Sequence, residues 1–359
     1  MLVLRNATEN DLDAILDLAR GIGAGMTTLK PDRAALRERL DVAARSFAGE
    51  LAPNQADYVF VLEDTARRRI CGISAIKAAV GVTEPFYNYH IGTSVHSSPE
   101  SGLVNRVQAL HLTHDLSGAS ELCSLYLHPD YRTGANGKLL SKARLLFLAQ
   151  FPELFSRKIF AEMRGFLDQH GASPFWERVG RPFFHMDFHD ADDRCGKGDR
   201  LFIEQLVPRL PLYTHLLGAE ACAAIGMTHV DTIPARRLLE REGLHFDGYI
   251  DIFDGGPVLQ ANLQDLRALR ESRLLLAAKG TPNDSTPCLI ATTPRHRFRV
   301  IVADADPQAG IAPLPPAALE ALACEPGATL RVLALQGHDS WNSTAVSPPE
   351  NGTGRRTIV

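Results

Sequence analysis

The 359-residue chain is 45% hydrophobic and 22% charged, enough to bury a sizeable core, and is expected to fold as two or three domains. Its formal net charge of -4 and pI near 6.4 give no basic field, so nucleic acid has no support as a partner and acidic membranes are not expected as one. No apolar run approaches the roughly 20 residues of a membrane helix, and no basic segment with an apolar signal core opens the chain, so a soluble cytoplasmic protein is expected.

In chain order, Leu2, Val3 and Leu4 predict a strand, followed by a helix capped at Thr8 or Asn10 with Leu12, Ile15, Leu16 and Ala19 on one face. Gly21, Gly23 and Gly25 mark a turn without the Lys-Ser/Thr ending of a nucleotide P-loop, read as a loop bordering the substrate. Pro31 opens a second helix whose Leu36, Leu40, Ala43 and Phe47 form the buried face. Tyr58 to Leu62 and Ile70 to Ala79 flank a charged segment and predict an antiparallel hairpin, expected to pair with a strand at Leu122. Between them, Phe86 to Asp115 carries Tyr87, Tyr89, His90, His96, His111 and His114. These suit cross-strand contacts on an exposed strand pair or, alternatively, a substrate wall.

The run from Glu121 to Gln150 organises the rest. Leu122 to Leu127 alternates as a buried strand, and His128 with Pro129 ends it. Arg132, Gly134 and Gly137 then lead into a helix that opens near Gly137 and repeats Leu139, Leu140, Ala143, Leu146 and Phe147 at helical spacing. Side-chain-poor residues at such a start leave backbone N–H groups and the positive end of the helix dipole facing an anion, as in a phosphate cradle.

Further on, Lys158 to Met163 predicts a strand, Ser173 to Val179 a helix and Phe183 to Phe188 another strand. Leu201 to Leu206 reads as helical, and Ala235 to Glu242 as a helix ended by Gly243. Helix, glycine and strand thus recur around Gly180 and Gly243, which suggests a duplicated architecture. From about Leu274 the composition changes: Gly280 to Pro287 reads as a linker, Phe298 to Ala303 and Thr329 to Ala334 as strands, and Pro316 to Ala323 as a short helix. The six cysteines are dispersed, with no Cys-x-x-Cys pair, and read as reduced, mostly buried thiols.

Arg132, Thr133, Gly134, Ala135, Asn136 and Gly137, between a strand and a helix, resemble the pyrophosphate loop of acetyltransferase-like (GNAT) acyl-CoA enzymes, with Ala135 where the first glycine usually sits. From Met1 to about Arg273 the chain resembles the arginine N-succinyltransferase family through ELCSLYLHPDYR, AEMRG, SPFWERVG, THVDTIPAR and YIDIFDGGP. The resemblance implies an α+β fold of two GNAT-like halves, residues 1–190 and 191–278, with a small β-rich unit over 279–340; residues 341–359 are expected to be disordered. It implies succinyl-CoA as co-substrate, L-arginine as acceptor, no resident cofactor or metal, and a homo- or hetero-oligomer. A related amine such as ornithine, or a non-catalytic accessory subunit, is the alternative.

The resemblance also implies roles. CoA phosphates would lie on Arg132, Gly134, Ala135, Asn136 and Gly137, the backbone N–H of Leu125 would polarise the thioester carbonyl, and His229 would be the catalytic histidine. The tyrosine that many GNAT enzymes use as acid is replaced by Trp176 or Leu239, neither of which supplies a proton. Arg164 or Arg236 is a candidate to hold the distal carboxylate of the succinyl group. His185, Asp187 and His189 on one face of a strand would suit zinc, although the resemblance implies no metal. No Gly-x-Ser-x-Gly elbow is present to support a serine hydrolase.

Overall fold

The computed structural model describes residues 1–22, 26, 28–196, 201–282 and 285–337; Gly23, Gly25 and the 341–359 segment lie outside them. The chain opens with β1 (Leu2–Asn6), α1 (Leu12–Arg20) and α2 (Arg33–Ala48). Asp32 caps α2, its Oδ1 accepting from the amides of Ala34 at 2.8 Å and Ala35 at 3.0 Å. The expected faces of both helices are buried against the sheet. β2 (Asp57–Asp64) and β3 (Arg69–Lys77) form the expected hairpin, and β4 (Asn88–Ser98) with β5 (Leu103–Thr113) the expected exposed pair.

β6 (Ser120–Leu127) pairs with β3, as expected, and leads into α3 (Asn136–Gln150) and then β7 (Lys158–Glu162). Next come α4 (Arg181–Phe184), α5 (Phe188–Gly196), α6 (Leu201–Leu206), β8 (Leu212–Tyr213), α7 (Ala219–Ala224), α8 (Ile233–Arg241), β9 (His245–Ile250), β10 (Pro257–Asn262) and α9 (Arg267–Glu271). The chain continues through β11 (Arg273–Lys279), β12 (Thr286–Thr292), β13 (Arg299–Ala305), β14 (Ile311–Leu314), α10 (Pro316–Leu322) and β15 (Thr329–Ala334). These strands form one 15-stranded sheet in the order β14-β11-β15-β12-β13-β1-β2-β3-β6-β7-β10-β9-β4-β5-β8. The fold is a mixed α+β arrangement in which the β6–β7 pair is parallel.

The predicted strand over Phe183 to Phe188 is absent. Trp176–Gly180 is a π-helical turn that runs directly into α4, His185 ends it at φ +51°, and α5 begins at Phe188. Trp176, Phe184 and Phe188 fall at helical spacing and converge on one aromatic cluster, with the Trp176 and Phe184 rings stacked at 5.3 Å. Gly180 is required there, because a Cβ would sit 2.1 Å from the Trp176 ring. The recurrence of helix, glycine and strand therefore does not hold: only Gly243 is followed by a strand, and β9 and β10 extend the sheet from β7.

The segment read as a linker is partly strand, since Thr286 and Pro287 belong to β12. The C-terminal strands join the main sheet where β13 pairs antiparallel with β1. They also cover α3, which is why that helix is buried on all sides, including Lys142 and Arg144. Lys142 Nζ meets Glu242 at 2.7 Å and the Leu335 carbonyl at 2.8 Å, so a buried charge is paired rather than stranded.

Candidate active site

The site is built where β6 and β7 part. Their parallel pairing ends at Glu121 opposite Phe160, while β6 runs on to Leu127. A bulge drives the divergence. Ser124 has φ +52°, and the β3–β6 register shifts between Ile73, opposite Tyr126, and Ala75, opposite Cys123. Arg39 of α2 pins the bulge: its Nη1 donates to Ser124 Oγ at 2.9 Å while its Nε donates to Asp57 at 2.7 Å. Leu125, the expected carbonyl-polarising residue, follows the bulge on the divergent part of β6 and is half-buried.

Beyond β6, Pro129–Tyr131 forms a 3₁₀ turn, and Arg132 Nε donates to the Leu127 carbonyl at 3.0 Å. Gly134 adopts φ +56°, which its lack of a side chain permits. Asn136 Nδ2 donates to the Tyr131 carbonyl at 2.9 Å, closing the loop onto the turn. The amides of Gly134, Ala135, Gly137 and Lys138 donate no hydrogen bond among the described residues, and a Cβ on Gly137 would meet open space. No acidic residue lies in the first turn of α3. The loop thus keeps unspent donors at a helix start, where an anion would be favoured.

His229 hangs from the other strand. Its amide donates to the Arg164 carbonyl at 2.8 Å just past the end of β7, and Gly165 bridges antiparallel to Thr228 beside it. Because β6 and β7 are parallel, the loop at the end of one and His229 at the end of the other flank the same opening. His229 Nδ1 accepts from the Asp231 amide at 3.2 Å, so the neutral ring carries its proton on Nε2. Among the described residues Nε2 has no hydrogen-bond partner. Burial, then the charge of Arg164, lowers the His229 pKa below the usual imidazole value, against an opposing pull from Asp231.

The alternative acids are excluded by position as well as chemistry: Trp176 and Leu239 are buried, and the Trp176 indole donates to the Met186 carbonyl at 3.1 Å. His185, Asp187 and His189 do not share a strand face, because His185 ends one helix and His189 lies in the next. Among the described residues no group of three or more His, Cys, Asp or Glu is placed to hold a metal ion.

A cavity of about 50 Å³ opens beside Arg164, lined also by Glu162, Asp192, Asp251 and Asp254. Burial first, then neighbouring carboxylates, pushes Glu162 and Asp254 well above the carboxylate range, and burial also raises Asp251. Sequence reasoning had these residues only as parts of the runs AEMRG and YIDIFDGGP, whose meeting is a tertiary event. Arg39 carried no sequence signal beyond its place on a helix.

A family model described as the arginine N-succinyltransferase beta subunit matches residues 2–268, and one for the C-terminal domain of that subunit matches residues 270–334. The chain belongs to the arginine N-succinyltransferase family. Within that family it is 45% identical over 337 residues to arginine N-succinyltransferase of Escherichia coli O139:H28, covering 93% of this chain and 98% of the relative. The arginine N-succinyltransferase of Shigella flexneri matches to the same extent. The solved arginine/ornithine succinyltransferase subunit AI from Pseudomonas aeruginosa superimposes with a TM-score of 0.86 at 35% identity, covering 94% of this chain and 99% of that one. The two family segments meet at α9, just before β11.

Proposed function

We propose that the chain is an acyltransferase that moves the succinyl group of succinyl-CoA to the α-amine of L-arginine, releasing CoA and N2-succinylarginine. The observation that carries this reading is the pair of features flanking the β6–β7 opening, four unspent loop amides on one side and a histidine Nε2 on the other, in a chain of this family. In this reading the CoA pyrophosphate lies on Arg132, Gly134, Ala135, Asn136 and Gly137, and the Leu125 amide faces the thioester oxygen. The deprotonated amine attacks the carbonyl carbon. A C–N bond forms, the C–S bond breaks, the amine loses a proton and the thiolate gains one. His229 points Nε2–H at the sulfur, held outward by its Nδ1 contact, and passes that proton to the departing thiolate as the ring takes up the one the amine sheds, so it begins and ends neutral. No resident cofactor or metal enters these steps.

Purified chain alone, given succinyl-CoA and arginine, is expected to release free thiol and form succinylarginine. Failure with a folded protein would favour the accessory-subunit reading, which the word subunit in the family description keeps in view. Because the Pseudomonas aeruginosa relative is named for both arginine and ornithine, ornithine is the second acceptor to assay.

A further inference from the structure

Arg164 stands out among the cations of this site. Arg236, its counterpart near His229, is committed: its Nε meets Glu240 at 2.8 Å and its Nη1 donates to Thr228 Oγ1 at 3.0 Å. Arg164 makes no ion pair among the described residues, and its Nε is buried without a hydrogen-bond partner. A buried guanidinium N–H left unmet costs free energy that a charged acceptor would recover.

The carboxylates lining the same cavity do not meet it because each is engaged elsewhere. Asp254 accepts from the amides of Gly165 at 2.7 Å and Gly256 at 2.8 Å. Asp251 Oδ1 accepts from the amides of Phe253 at 2.7 Å and Asp254 at 2.9 Å. Glu162 accepts from Asn88 Nδ2 at 2.9 Å, and Asp192 pairs with Lys30. Three of these acids are also shifted toward the neutral form by burial. The fold therefore spends its own anions on holding the 251–256 turn and the end of β7, and leaves the Arg164 charge for something else.

We infer that Arg164 holds a substrate carboxylate. A planar guanidinium grips a carboxylate at two points, and the cavity beside Arg164, at about 50 Å³, has room for a group of that size. The inference rests on the reaction proposed above, in which two carboxylates approach the chemistry. The distal one of the succinyl group lies three bonds from the reacting carbonyl, and the α-carboxylate of arginine lies two bonds from the nucleophilic nitrogen. The hydrogen bond from His229 to the Arg164 carbonyl ties the anchor to the proton donor.

Two ratios of kcat/KM, measured for the native chain and for Arg164→Gln, test this. One compares succinyl-CoA with butyryl-CoA, which has the same chain length without the carboxylate, using arginine as acceptor. The other compares arginine with agmatine, which lacks the α-carboxylate, using succinyl-CoA as donor. Removing one partner of a desolvated charge pair should collapse one ratio by about 100-fold and leave the other in place, and the ratio that collapses names the carboxylate. Both ratios surviving in Arg164→Gln would overturn the assignment. Should that variant fail to fold, Arg164→Lys takes its place: it keeps the charge but loses the fork, so a partial fall in one ratio supports the proposal and two unchanged ratios overturn it. A native chain that transfers no succinyl group to arginine would sink the proposed reaction instead, so the two failures are distinct.

Discussion

His128 and His229 sit in nearly the same local structure. Each has extended backbone, φ -54° and ψ 136° at His128 against φ -55° and ψ 139° at His229, followed by a three-residue 3₁₀ turn. Each accepts at Nδ1 from the amide two residues on, at 3.3 Å from Asp130 and 3.2 Å from Asp231. Their neighbours differ. His128 Nε2 lies 3.3 Å from Arg69 Nη2, whereas His229 Nε2 has no partner among the described residues. The His229 side chain is also less exposed, 16% against 28%, and burial, then the charge of Arg164, lowers its pKa. A His-x-Asp turn is thus a generic cap, and what surrounds the second ring nitrogen decides whether it can take part in chemistry. The first turn leads into the loop with free amides, which suits binding; the second suits proton transfer.

Exchanging each histidine for alanine puts the contrast under the greatest stress. His229→Ala should lose turnover by about 100-fold to 10,000-fold while CoA affinity holds. His128→Ala should keep kcat and lose about 1 kcal/mol of stability, the usual worth of a cap. Near-native turnover in a folded His229→Ala protein would make the two turns equivalent.

Gly137→Val should act on the binding side alone. Its Cβ meets open space, so the protein should fold, but the side chain would intrude where the pyrophosphate approaches. CoA affinity measured by calorimetry should fall about tenfold or more, near 1.4 kcal/mol. Unchanged affinity would remove the loop from the CoA site.

Ser124→Val probes the bulge that parts the strands carrying the two turns. A β-branched residue at φ +52° that also loses the Arg39 hydrogen bond should cost roughly 1 to 3 kcal/mol in urea unfolding. Equal stability would mean that the backbone conformation at Ser124 carries no strain and that Arg39 does not hold it.

The smallest effect is in pH. The folded pKa of His229 lies below the ordinary 6.5, so the unfolded chain takes up the proton first. The contribution is present above 6.5 and is lost as pH falls from there toward the folded midpoint. NMR should place the ring titration below 6.5, and Arg164→Gln should move it up, because one of its depressing causes is gone. A native midpoint at or above 6.5 would contradict the burial and charge described here.

By itself the sequence determined the short-range features: the strand, loop and helix from Glu121 to Gln150, the buried faces of α1 and α2 and the β2–β3 hairpin. In each, the periodicity or the cap is written within a few neighbouring residues. The tertiary structure decided the rest. Phe183 to Phe188 alternates well enough for a strand, yet an aromatic cluster with Trp176 holds it helical. That the β-rich strands after residue 273 continue the main sheet, through β13 paired with β1, is visible only in the fold. Arg39 reaches Ser124 across 85 residues to set the bulge, and among the described residues Arg164 has no ion pair because Asp254 and Glu162 bond to Gly165 and Asn88. The reason is physical. Helix and strand preferences act over a few residues, whereas whether a buried charge finds a partner depends on groups that only the folded chain brings within 3 Å.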